Sequence, residues 1–242
     1  MPFGGDAVVG QGASANGNGD NVATHPARNR VTPLGDIVAV PLRGAWMGNR
    51  GCLHRGFEIV RNSRNRAWIT CALRYQDWSA PQWAAGHYTP LFFQDEAVSL
   101  AAGHRPCALC RRAAYNGYRA SSVVGTDRAV PSAIDLDRQL HGERWIDGTQ
   151  RRRLHVMDWT ALPGGAFVIA AAQPCLVLET AVIPWTIDGY AEPLPRPEAG
   201  MAQVLTPPTS IRALSAGYPV QTDSGQDERR TRASGPTSAN EE

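Results

Sequence analysis

Two cysteines, Cys107 and Cys110, sit in the run Ala-Gly-His-Arg-Pro-Cys-Ala-Leu-Cys-Arg-Arg that fills residues 102–112, with His104 just upstream. A Cys-x2-Cys knuckle lets two thiolates grip one metal ion from a tight turn, and a tetrahedral zinc site then needs two more N or S ligands. Cys52, His54 and Cys71 are the upstream candidates. Cys52 and His54 are two residues apart, so in a strand they share a face. A turn-rich patch at Asn62–Asn65 separates Phe57–Val60 from the β-branched and aromatic run Arg66–Tyr75. That pattern predicts a hairpin returning Cys71 toward Cys52 and His54. A redox dithiol is the competing use of Cys-x2-Cys, but no βαβ pattern surrounds this one. Cys52 and Cys71 as plain buried residues is the other reading.

Two further groups could carry chemistry. Asp135, Asp137, His141 and Glu143 fall within nine residues of sequence and could hold a divalent ion or do acid–base work, as a hydrolase or nuclease would. The plainer reading is a charged loop. After the knuckle come Arg111, Arg112, Tyr115 and Arg119; on a helix Arg111, Tyr115 and Arg119 share one face. Arginine interleaved with tyrosine suits phosphate contact and base stacking, the alternative being a solvated face whose tyrosines lean on the core.

The elements that must position these residues are short. Asp95 is a plausible N-cap for a helix reaching Ala102, Gly103 a plausible residue just past its end, and a second helix follows from Ala108 to about Ser121. Ile37–Val40 and Thr89–Phe93 predict strands. Beyond Val124, Ala166–Ala170, Cys175–Thr180, Ile183–Thr186 and Val204–Thr206 are apolar runs between turn signals, which predicts a small antiparallel meander, and Thr209–Leu214 predicts a short helix. Residues 1–36 and 216–242 are polar, without apolar periodicity, and are expected to be disordered.

All 24 basic residues are arginine, so every cation is a planar fork suited to phosphate or carboxylate. Residues 43–153 hold 17 arginines against 9 acids, while the rest hold 7 against 13. A basic first half points to a polyanionic partner, DNA or RNA. No stretch approaches the length of a membrane span, and no charged segment followed by an apolar run opens the chain. Five cysteines in that setting imply reduced thiols, metal binding and a cytoplasmic location.

Phe92-Phe93, Asp95-Glu96-Ala97 and Ala102-Gly103-His104-Arg105-Pro106-Cys107 with Cys110 resemble the Ada-type metal-binding domain, in particular the version appended to some bacterial nucleases. Gly48-Asn49, Leu53-His54 and Cys71 follow the opening of that version in order, and the resemblance covers about residues 46–115. It implies Zn²⁺ held by His54, Cys71, Cys107 and Cys110, with Cys52 as an alternative ligand because sixteen residues separate His54 from Cys71. It implies DNA binding linked to repair or processing; in the Ada protein itself a zinc-bound cysteine accepts an alkyl group. The wider stretch, about 37–215, resembles an uncharacterised bacterial family. The expected architecture is α+β: an Ada-like zinc module of short antiparallel strands and two helices over 37–125, then a small β-rich unit over 126–215, which could instead serve as a scaffold for a protein partner.

Overall fold

The computed structural model describes residues 26–223 except 79–81, 147–148 and 150. In chain order the elements are β1 (Arg30–Val31), β2 (Ile37–Val38), β3 (Trp46–Asn49), β4 (His54–Arg55), β5 (Glu58–Ile59), β6 (Ile69–Cys71), β7 (Leu91–Phe93), α1 (Glu96–Ala101), β8 (Arg105–Pro106), α2 (Arg112–Ser121) and α3 (Ala133–Arg144). There follow β9 (His155–Asp158), a 3-10 turn at Trp159–Ala161, β10 (Phe167–Ala170), β11 (Gln173–Val177), β12 (Ala181–Thr186), β13 (Gly189–Tyr190), β14 (Leu194–Pro195), β15 (Met201–Val204) and α4 (Pro208–Ser215).

The strands build three sheets. One runs β2-β1-β7-β3-β6-β8, and another β13-β12-β11-β10-β15-β9 with β14 also on β12; β4 and β5 pair alone. This corrects the expected architecture. Among the described residues the fold is mostly β-sheet, with a six-stranded and a seven-stranded sheet and four short helices, and not a small two-helix module beside a small β unit. Helix α3 lies where a charged loop was expected, started by Ser132, whose side chain accepts from the Asp135 amide. Among the described residues no helix is long and apolar enough to cross a membrane.

The second sheet is an antiparallel ladder in which apolar residues pair directly, Leu176 with Phe167 on one side and with Ile183 on the other. Its residues Phe167, Leu176, Ile183 and Trp185, with Leu205, pack in one core with Val31, Leu53, Leu91, Phe93 and Val98 from the first half. A second core lies under the helices, where Tyr118, Leu136 and Leu140 meet Val177, Val204 and Ile211. The ends of the structured region also differ from expectation. Within the stretch read as leader, Arg30–Val31 pairs antiparallel with β2 and parallel with β7. Within the stretch read as tail, buried Tyr218 donates to Glu96 at 2.7 Å and the Gln221 amide bonds the same carboxylate. Residues 1–25 and 224–242 lie outside the described residues.

The first sheet has strands of only two to four residues, and the segments around it are tied by arginine side chains. Arg50 donates to the Gly35 carbonyl (2.9 Å) and to His104 Nε2 (3.1 Å). Arg144 donates to the carbonyls of Gly103 (2.6 Å) and Arg66 (2.9 Å). Arg152 reaches the carbonyls of Ala101, Ala102 and Leu205. The buried Trp68 ring lies between two of these guanidiniums, 3.7 Å from Arg50 and 4.2 Å from Arg144. Gly103 fits this cluster for a steric reason. Its φ is +88°, and a Cβ there would meet the Arg144 stem at 2.3 Å.

Candidate metal centre

Cys71 closes β6, and Cys107 follows β8 directly. The two strands run parallel, with Thr70 opposite Pro106, and the Cys107 amide continues the ladder to the Thr70 carbonyl at 2.9 Å. Past Cys107 the chain turns and enters α2, which brings Cys110 back over the strand ends. The three Sγ atoms lie within 4.8 Å of one another. Backbone amides point at two of them: Leu109 N to Cys107 Sγ and Ala72 N to Cys110 Sγ, each at 3.4 Å. Such amides offset negative charge on sulfur.

The protons are shared unequally. The hydrogen bond from Cys71 holds the Cys107 thiol down at about 5, helped by the amides of Cys110 and Leu109 against burial. Cys71 is pushed far up, first because it donates that bond, then by burial and the charge of its neighbours. Burial likewise raises Cys110. Three sulfurs this close cannot all ionise in a partly buried site without a cation, and a divalent ion relieves that conflict. All five cysteines are free thiols. An all-sulfur donor set fits a soft or borderline metal ion over a hard one.

The structure brings together Cys71, Cys107 and Cys110, and leaves His54, Cys52 and His104 outside the cluster. His54 Nδ1 bonds Thr89 Oγ1 at 2.6 Å, its Nε2 faces the Ala84 carbonyl at 3.3 Å, and Trp83 packs edge-on at 5.4 Å. Cys52 Sγ reaches only the His54 carbonyl, at 3.8 Å. The reason is register. Strand β6 pairs with β3, setting Cys71 opposite Met47, while His54 turns off into the separate β4–β5 hairpin. His104 is a core histidine between Phe93 and Trp68, kept neutral by burial and by Arg50, Arg144 and Arg152.

The other expected sites do not assemble. Asp135 is exposed and bonds Ser132 and Arg138, Asp137 is buried against Arg105 through two bonds of 2.7 and 2.8 Å, and Glu143 holds Thr209 and Gln139. Each carboxylate thus faces a different partner, and half-buried His141 lines a cavity with Trp145. Just before α2, Arg111 is committed to Glu96 at 2.7 Å and lies 3.8 Å over Trp46; on the helix Tyr115 is buried and Arg119 donates to the Pro131 carbonyl, and Arg112 alone of the four is exposed. The Arg–Tyr face is therefore turned inward.

Two features escape the sequence patterns. A cavity of about 310 Å³ opens on all three cysteines, walled by Met47, Ile69, Leu109 and the aromatics Tyr75, Trp78 and Tyr88. Trp78 stacks on Tyr88 with ring centres 5.7 Å apart, carried there by a turn in which Gln76 has φ +52°. The spacing Tyr-x-x-Trp across that turn was the available signal. The other feature is an arm that exposes Arg55, Arg61, Arg64, Arg66 and Arg74 and also Phe57, 83% exposed at the tip of the β4–β5 hairpin. No protein-family model, curated protein or solved structure matches this chain.

Proposed function

We propose that this chain is a zinc-binding protein whose ion is held by Cys71, Cys107 and Cys110, and that the Ada-type resemblance reflects this knuckle. The observation that carries the reading is the approach of the three sulfurs within 4.8 Å, two of them already accepting backbone amides. Zinc takes thiolates readily, and as a spectroscopically silent, redox-inert ion it would serve here as a Lewis acid and a cross-link between the two strands and the turn. A reducing compartment, the cytoplasm, would keep the sulfurs free for it. Elemental analysis of protein purified without added metal tests the reading. About one zinc per chain is expected, lost in Cys71→Ser and Cys107→Ser and kept in His54→Ala. Folded wild-type protein without metal, also unable to take up added Zn²⁺, would remove the proposal.

A second reading, nucleic-acid binding, is favoured by the exposed arm. Five solvent-facing arginines supply phosphate contacts, and Phe57 supplies a ring on which a base can stack. The interface then lies on the segment from Arg55 to Arg74 and not on α2. Gel-shift titration at low salt against duplex and single-stranded DNA and RNA is the measurement. Arg61→Ala with Arg64→Ala should weaken all complexes, Phe57→Ala the single-stranded ones most. No complex at low salt with any of them ends this reading.

A further inference from the structure

Three sulfurs supply three donors, and among the described residues no fourth His, Cys, Asp or Glu joins them. The same three cysteines line the aromatic cavity, so an ion at their common centre borders it. A structural zinc site has four protein ligands, whereas three ligands facing a cavity leave one position for an incoming group. The walls decide what that group can be. Met47, Ile69 and Leu109 are apolar, and the stacked Trp78–Tyr88 pair offers a flat aromatic face. The polar groups at the wall are few, and the Tyr88 hydroxyl spends its proton only on a weak contact with Met47 Sδ at 4.0 Å.

We infer that the centre takes an exogenous thiol with an apolar or aromatic body, its sulfur completing the coordination of the ion and its body lying in the cavity against Trp78. The inference rests on the zinc reading above. An ion already held by thiolates favours a further soft donor over oxygen. The balance is simple: the thiol gives its proton to bulk solvent and its sulfur lone pair to the ion, which keeps its charge, and no electron is transferred. The amides of Leu109 and Ala72, aimed at Cys107 and Cys110, temper the added negative charge. The left-handed backbone at Gln76, a conformation that costs a non-glycine residue energy, is the local distortion that turns Trp78 over the site.

Cobalt(II) loaded into the full chain in place of zinc gives the readout, because sulfur-to-cobalt charge transfer in the near ultraviolet counts sulfur ligands. Titration with 2-phenylethanethiol should raise that band saturably and shift the visible bands, while 2-phenylethanol, the same body without sulfur, should not raise it. Trp78→Ala should weaken the phenylethanethiol complex about tenfold, leaving cobalt uptake and the response to 2-mercaptoethanol unchanged. Trp78 is 45% exposed, so this variant should fold. One cobalt per chain with a spectrum indifferent to every thiol would overturn the inference while leaving the metal centre standing. A rise equal for both thiols and insensitive to Trp78→Ala would overturn the role of the cavity. Failure to bind cobalt or zinc at all would instead remove the metal reading on which both depend.

Discussion

The two large sheets reach stability by different means. The second is a ladder of four- to six-residue strands through β10, β11 and β12, whose apolar residues face one another across each pair. The first is assembled from two- to four-residue strands, and arginine side chains bond the backbone of the segments around it. Arg50 and Arg144 bond the carbonyls of Gly35, Gly103 and Arg66, Arg152 bonds those at the end of α1 and after β15, and Trp68 fills the space between the first two guanidiniums. Arginine suits this use because it offers five donors in a fixed fork and stays charged even where burial lowers its pKa, as it does for all three. Short strands tied by side chains can place cysteines from distant segments together.

The contrast can be broken at its most exposed point by Arg144→Ala, which strips donors from the carbonyls of Gly103 and Arg66 and bares one face of Trp68. A loss of about 3–5 kcal/mol in urea unfolding is expected, and Arg144→Lys should recover little of it, since an ammonium cannot span both acceptors. A loss under about 1 kcal/mol would mean the cluster is incidental. In the second sheet the counterpart is Leu176→Ala, fully buried between Phe167 and Ile183. It should cost roughly 2–5 kcal/mol through the cavity it leaves, with metal content unchanged. Because Leu176 shares a core with Leu91 and Phe93 of the first sheet, metal loss in that variant would show that this common interior supports the cysteine cluster.

Asp95 sharpens the comparison through pH. Burial pushes its carboxyl up to about 6, against the pull of hydrogen bonds from the amides of Val98 and Asp223 and from the Tyr190 hydroxyl. The folded protein thus holds this proton more tightly than the unfolded chain, where the value is 3.8. The group's favourable contribution is complete below that value and is lost as pH rises toward 6. Asp95→Asn keeps a cap acceptor but cannot ionise. Relative to wild type it should gain on the order of 3 kcal/mol between pH 4 and pH 7, read as the difference between two denaturation series. A difference flat with pH would place the proton elsewhere. The smallest effect is expected at Arg138→Ala, whose ion pair with Asp135 is exposed at 61% and 58%. A change within about 0.5 kcal/mol is expected in the same assay.

What could be read in the sequence follows range of interaction. The Cys107/Cys110 knuckle is a local pattern, as are the cap of α1 at Asp95 and the apolar runs that became β10 and β12, and all of these lie where the residues put them. Cys71 was reached by the right residue and the wrong pairing. The turn at 62–65 suggested that Arg66–Tyr75 folds back on Phe57–Val60, but β6 pairs with β3 and, in parallel, with β8. A two-residue parallel contact across more than thirty residues leaves no periodic trace. The same limit hid the cation cluster, since Arg50, Arg144 and Arg152 look like surface residues until the chain is closed around them. Helix α3 was missed for a related reason: its buried Leu136, Asp137, Leu140 and Arg144 mix charge with apolar residues on the inward face.

The core shared across the middle of the chain has a consequence for inheritance. A segment can move between proteins as a portable part only if it carries its own interior. Here Val31, Leu91 and Phe93, from strands β1 and β7 of the sheet that carries Cys71, share one interior with Phe167, Leu176, Ile183 and Leu205. Genetic exchange that moved only the cysteine-bearing half would leave both pieces with an uncovered apolar face. The knuckle in this chain is therefore tied to its present neighbours, and any lineage carrying it should carry both halves together.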